Sequence, residues 1–90
     1  MDLLIVGINH HTAPIALREK IAFTSSQLAH ALTALKARAG LQELAILSTC
    51  NRTEIYLSGD ITDEQLLSWL AESKNLDIEA LRSCYYCYRD

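Results

Sequence analysis

Cys50 stands in the polar stretch Ser48-Thr49-Cys50-Asn51-Arg52, directly after the apolar run Leu44-Ala45-Ile46-Leu47. A cysteine with hydroxyls before it and a guanidinium two residues after it has the makings of a nucleophile. The thiolate is the reactive form, and a nearby cation favours it. Arg52 and His10 are the candidate activators. The competing account of Cys50 is a small hydrophobe buried at the end of a strand, where cysteines often sit. Arg52 offers a planar fork that holds a carboxylate through two hydrogen bonds, which suits an anionic substrate beside a nucleophile. Its plainer role is that of a solvated turn residue.

The remaining reactive side chains carry weaker signals. His10 and His11 are adjacent, so in extended chain they point to opposite sides and cannot both serve one centre. His30 falls on a helical stretch and is expected at the surface. Cys84-Tyr85-Tyr86-Cys87 has the form C-x-x-C, but side chains three apart on a strand face opposite ways and no second ligand pair exists, so packing is expected rather than a metal. The tyrosines there could stack on bases, yet a half-buried strand favours aromatics in any case. Trp69 is expected in the core.

These residues need elements to position them. Leu3 to Ile8 is a short apolar run that stops at Asn9 and reads as a strand buried on both faces. Asn9 to Pro14 then leads into a short helix ending near Ile21, with Thr12 as its candidate cap and Arg18, Glu19 and Lys20 facing water. Thr24-Ser25-Ser26-Gln27 has the capping-box form and opens a helix with Leu28, Ala31, Leu32, Leu35 and Ala39 at helical spacing, stopped by Gly40. Leu44 to Ser48 and Thr53 to Ser58 read as two strands, the second alternating, joined as a hairpin through Thr49-Cys50-Asn51-Arg52. Thr62-Asp63-Glu64-Gln65 caps a further helix with Leu66, Leu67, Trp69 and Leu70 as its buried stripe, ended by Asn75. A helical turn from Asp77 to Arg82 precedes a last strand over Cys84 to Tyr88.

The order is β-α-β-β-α-β, which predicts an α+β fold: a ferredoxin-like split βαβ sandwich, an antiparallel sheet with both long helices on one face. In that topology the third element of the sheet inserts between the first two strands, which run parallel. Their C-terminal ends then meet at one edge, so Asn9, His10 and Thr12 are expected near Ser48 to Arg52.

The chain has 90 residues, a net charge of −3, 50% hydrophobic and 21% charged residues, which describes one small folded domain and excludes a disordered tail. Eight basic residues spread along it argue against a broad nucleic-acid footprint, so any polynucleotide contact is local. Three cysteines make no disulfide framework. No run approaches the roughly 18 apolar residues of a membrane span, and the N-terminus has no basic segment typical of a secretory signal, so a cytoplasmic location is expected.

Two segments carry a resemblance. Gly7-Ile8-Asn9-His10-His11-Thr12-Ala13-Pro14-Ile15 with Leu17-Arg18-Glu19, and Leu47-Ser48-Thr49-Cys50-Asn51-Arg52-Thr53-Glu54-Ile55-Tyr56, resemble the two N-terminal signatures of glutamyl-tRNA reductases. The resemblance covers essentially the whole chain and implies that residues 1–90 form the N-terminal part of that family's catalytic domain, itself a ferredoxin-like sandwich. It implies reduction of glutamyl-tRNA with NADPH to glutamate-1-semialdehyde in tetrapyrrole synthesis. Cys50 matches the family nucleophile, which holds glutamate as a thioester. Arg52 matches the residue that grips the substrate carboxylate. Thr49 and Asn51 match positions lining the same pocket, although both could simply shape the turn. Further implications are homodimers and transfer of product to glutamate-1-semialdehyde aminomutase.

By the same resemblance, the NADPH-binding and dimerisation domains, and a histidine important for activity, lie beyond Asp90. No G-x-G-x-x-G occurs among these residues. Apolar surface left open beside the last strand would favour self-association or a partner. The rival class is a non-catalytic ferredoxin-like binding or regulatory module with a structural Cys50. An RNA-binding sandwich ranks last, because it needs aromatics exposed on central strands and the first two strands offer aliphatics. The expectation is that these 90 residues alone form no glutamate-1-semialdehyde from glutamyl-tRNA and NADPH; aldehyde above background in a trapping assay would refute it.

Overall fold

The computed structural model describes residues 3–39 and 43–89. Its elements are β1 (Leu3–Asn9), α1 (Ile15–Ile21), α2 (Ser25–Ala39), β2 (Glu43–Ser48), β3 (Arg52–Ser58), α3 (Asp63–Lys74), α4 (Ile78–Arg82) and β4 (Tyr86–Arg89). The four strands form one sheet in the order β2-β3-β1-β4, with every neighbouring pair antiparallel. Because β3 runs antiparallel to both β1 and β2, those two are parallel to each other. This is the α+β, split βαβ arrangement expected from the element order.

Register decides which residues meet on each face. Val6 pairs with Ile55 and Leu4 with Leu57, and Ile46 lies across from Ile55 on β2. Leu4, Val6, Ile8, Ile55 and Leu57 are buried under the helices, against Leu35 of α2, Leu66 and Leu67 of α3 and Leu81 of α4. Each such side chain contributes about 1.5–3 kcal/mol of burial. Trp69 is in this core and His30 is exposed, as expected. The alternate residues Leu3, Ile5 and Gly7 of β1 and Glu54 and Tyr56 of β3 lie on the other face, which carries no helix. The strand expected to be buried on both faces is thus covered by helices on one only, and Leu3 and Ile5 are half-buried.

The caps explain the helix boundaries. Thr24 Oγ1 accepts from Gln27 N while Gln27 Oε1 accepts from Thr24 N, completing the capping box of α2. Gly40, the expected stop of α2, lies outside the described residues. Thr62 and Gln65 form the same box at α3, which ends on Asn75 in the left-handed conformation at φ 54°. Thr12 does not cap α1; Pro14 holds that position without a side-chain hydrogen bond. Thr12 Oγ1 instead accepts from Asn9 N at 2.9 Å, closing the turn after β1. The last strand begins at Tyr86 rather than Cys84, because Cys84 N and Sγ still donate to Leu81 and Ala80 carbonyls and prolong the turn after α4.

Gly7 is where this sheet leaves no room for a side chain without moving a neighbour. Tyr86 of β4 pairs with Gly7 in register, and a Cβ at Gly7 would lie 2.6 Å from the Tyr86 ring and hydroxyl. Gly7→Ala is therefore expected to displace the ring and cost about 1–3 kcal/mol, as overpacking does. Urea unfolding monitored by circular dichroism measures this, and an unchanged midpoint would contradict it.

Candidate functional site

The four site residues expected from the sequence share one tight turn between β2 and β3. Thr49 N donates to Arg52 O at 2.8 Å, and Thr49 Oγ1 accepts from Asn51 N and Arg52 N at 3.2 and 3.1 Å. The Thr49 hydroxyl is thus spent on folding the turn back on itself, which leaves Cys50 and Asn51 at its tip. All four residues are exposed, and Cys50 is a free thiol. The account of Cys50 as a buried hydrophobe does not hold.

Neighbouring elements fasten the turn. Ser48 Oγ, at the end of β2, accepts from Phe23 N at 2.9 Å and lies 3.3 Å from Thr53 Oγ1. Lys74 Nζ, at the end of α3, donates to Ala22 O at 2.7 Å and rests over the Phe23 ring, which ties the link between α1 and α2 to the helix layer. Asn9 pairs with Arg52 in register, so the C-terminal ends of β1 and β2 do meet at one sheet edge. From α1, Arg18 Nη1 donates to the Cys50 carbonyl at 3.4 Å. Sequence reasoning placed Arg18 in water. Only its membership in the Leu17-Arg18-Glu19 segment signalled it, since the contact spans 32 positions of chain.

His10 and His11 do not lie in extended chain. The Asn9 carboxamide accepts from the backbone N of His11 and Thr12, which curls the chain into a turn where extended backbone was assumed. The two imidazoles consequently meet, with ring centroids 3.9 Å apart, rather than pointing to opposite sides. Cys84 is buried in the core as the packing account requires, and burial pushes its thiol pKa up. Cys87 is exposed on the edge strand. Among the described residues no His, Cys, Asp or Glu cluster could hold a metal, and no helix is long and apolar enough to cross a membrane.

Arg52 is supported from beneath by a residue the sequence reasoning passed over. Glu54 stands two positions along β3 on the same, helix-free face, with Oε1 3.8 Å from Arg52 Nε, although the residue is only 9% exposed. Tyr56 and Tyr86 both donate their hydroxyls to this carboxylate. Burial alone would push the Glu54 pKa up, but the two hydroxyls and the Arg52 guanidinium outweigh it and hold it below its ordinary value of 4.5. Burial and the Glu54 carboxylate push Tyr86 up in turn. The spacing Arg52-x-Glu54-x-Tyr56, three polar side chains at period two on a strand, was the signal that could have found the network. Tyr56 places an aromatic on β3, a central strand outside the two expected to offer aliphatics, but it is half-buried and its hydroxyl is committed to Glu54.

Comparison with known proteins decides the family. The model of the glutamyl-tRNA(Glu) reductase N-terminal domain matches residues 6–90. The chain belongs to that family. It is 50% identical over 88 residues to the glutamyl-tRNA reductase of Saccharophagus degradans, covering 98% of this chain and 21% of that protein. It is 48% identical to the one from Marinobacter nauticus, covering 100% of this chain and 21% of that protein, and 42% identical to the one from Hahella chejuensis, covering 100% and 22%. The chain thus spans about a fifth of the length of the curated relatives it matches.

The described residues do not fit NADPH. A dinucleotide site needs a glycine-rich turn from strand into helix so that backbone N–H groups approach the pyrophosphate. Here the turn from β1 into α1 is His10-His11-Thr12-Ala13-Pro14, and Gly7 is covered by Tyr86.

The Glu54 network generates a pH prediction. Since its folded pKa lies below 4.5, its stabilisation is fully present above pH 4.5 and is lost as pH falls through the lower folded value. Glu54→Gln is expected to lower unfolding free energy at pH 7 by about 1–3 kcal/mol, the cost of weakened hydrogen bonds to a charged group. It should also flatten the acid limb of the stability curve. Urea titrations from pH 7 to pH 3 measure both, and parallel acid limbs in the two proteins would contradict the assignment.

Proposed function

We propose that this domain takes the glutamyl group from glutamyl-tRNA onto Cys50 as a thioester, its share of a glutamyl-tRNA reductase reaction at the start of tetrapyrrole synthesis. The observation that carries this reading is a free, exposed thiol at the tip of a turn fastened on both sides, with a guanidinium reaching it from α1 and another leaving it along β3. Membership in a family whose relatives are named glutamyl-tRNA reductases supports the substrate class.

In the proposed step the Cys50 thiolate attacks the ester carbonyl of the aminoacylated ribose. A carbon–sulfur bond forms, the carbon–oxygen bond to the ribose breaks, and the departing ribose oxygen takes up a proton from water. Covalent capture divides one hard reduction into two easier steps. Arg52 grips the free side-chain carboxylate of the glutamyl group, and Glu54 beneath it keeps the guanidinium directed along the helix-free face. Thr49 holds the turn in shape through its hydroxyl, and Asn51 shares the exposed tip with the nucleophile. Reduction of the thioester requires a hydride donor, for which these residues make no place, so the chemistry assigned to them ends at the acyl-enzyme.

Intact-mass spectrometry after mixing with glutamyl-tRNA tests this. A hydroxylamine-labile glutamyl adduct is expected on the wild type and absent from Cys50→Ser. Arg52→Ala is expected to slow its formation roughly 10- to 100-fold, the value of a charge-assisted contact. An adduct that persists in Cys50→Ser would overturn the assignment.

A further inference from the structure

Arg18 is the one guanidinium at the site whose charge no acid answers. Among the described residues Arg52 has Glu54, whereas no carboxylate pairs with Arg18. Its Nε is buried without a hydrogen-bond partner, and its Nη1 makes a long, 3.4 Å contact to the Cys50 carbonyl on the exposed side. A guanidinium has five N–H donors in a planar fork, and one carbonyl uses one of them. A half-buried arginine with spare donors and no counter-ion is matched to an anion that arrives with the substrate.

The placement says which anion. Arg52 lies on the helix-free face of the sheet, beside Glu54 and Tyr56, while Arg18 reaches the same turn from α1, in the helix layer. The turn that carries Cys50 is therefore approached by two guanidiniums, one from each face of the sheet. A glutamyl ester of a terminal ribose has the matching layout, with its scissile carbonyl between two anions. The side-chain carboxylate lies a few bonds away on the acyl side, and the phosphodiester of the terminal nucleotide lies a few bonds away on the ribose side.

We propose that Arg18 binds the phosphodiester of the terminal nucleotide, so that the Cys50 turn holds the substrate by an anion on each side of the carbonyl that the thiol attacks. This rests on the reading of Cys50 as the acceptor of the glutamyl group. It also reconciles an acidic domain with a polynucleotide substrate, because one well-placed phosphate contact needs no basic patch and serves to set register. An arginine bound only to a backbone carbonyl, by contrast, would be a positioning residue for the turn.

The test compares two acyl donors in the protein, glutamyl-tRNA and the α-thiobenzyl ester of glutamate, which carries the same side-chain carboxylate and no phosphate. Acylation of Cys50 is followed by intact mass. Arg18→Gln is expected to reduce acylation from glutamyl-tRNA about tenfold or more, the scale of a lost charge-assisted contact. It should reduce acylation from the thiobenzyl ester by much less, so that the ratio of the two rates shifts toward the phosphate-free donor, and the activity retained with that donor certifies the folded site. Arg18→Lys should recover most of the loss as a point charge. The dependence of glutamyl-tRNA acylation on salt should become shallower in Arg18→Gln by about 0.7 in log–log slope, the value of one phosphate on a single strand. Equal losses with both donors, or no loss with either, would overturn the phosphate assignment while leaving Cys50 acylation intact. Failure of the wild type to be acylated by either donor would overturn the reading of Cys50 itself, and the inference with it.

Discussion

Glu54 occupies a central strand of the sheet, where a carboxylate must find all its partners within reach of one face. An unpaired buried charge costs several kcal/mol, so the neighbours of Glu54 are constrained as strictly as the residue itself. Two tyrosine hydroxyls and the Arg52 guanidinium meet that demand. Tyr86 can reach the carboxylate only by lying across β1, and β1 can accept the ring only because Gly7 has no side chain. One buried acid thus accounts for a glycine in the first strand, a tyrosine in the last, and the direction of the arginine at the site between them.

The turn that carries Cys50 is held by the other layer as well. Its hydroxyl and backbone bonds are local to Thr49 and Arg52, but Ser48, Phe23 and Arg18 join it to the segment between β1 and α2. Cooperation of this kind is what places a reactive side chain accurately, since a site on a free hairpin tip would be too loose for chemistry. It also divides labour by face. The helix layer supplies fastening and Arg18, and the open face supplies Arg52 and its acidic support.

Periodicity made most of the fold legible. The apolar stripe of α3, the capping boxes at Thr24 and Thr62, and the short link between β2 and β3 were readable because they are local patterns, each complete within a few residues. The β-α-β-β-α-β order then determined which strand ends meet. Short-range chemistry was harder to read, since Thr12 could cap a helix or close the preceding turn, and only the Asn9 turn chooses the second. Cys84 could begin a strand or prolong α4, and its hydrogen bonds to the α4 carbonyls decide it. Arg18 and Tyr86 were not legible as site residues from local pattern, because their contacts cross 32 positions of chain and their local contexts read as a solvated helix face and a generic aromatic strand. Glu54 lay between these cases, visible in the period-two spacing but not in composition.

Tyr86 lies on β4, and a ribosome delivers it after the other three strands. Domains begin to fold during synthesis, from the N-terminus onward. β1, β2 and β3 can pair while β4 is still inside the exit tunnel, and at that stage Gly7 is uncovered and Glu54 lacks one of its two hydroxyls. The carboxylate that directs Arg52 reaches its final charge balance only when β4 docks. Assembly of the site therefore waits for translation of β4, and a chain arrested before Tyr86 would expose its cysteine on a scaffold whose arginine has yet to be set.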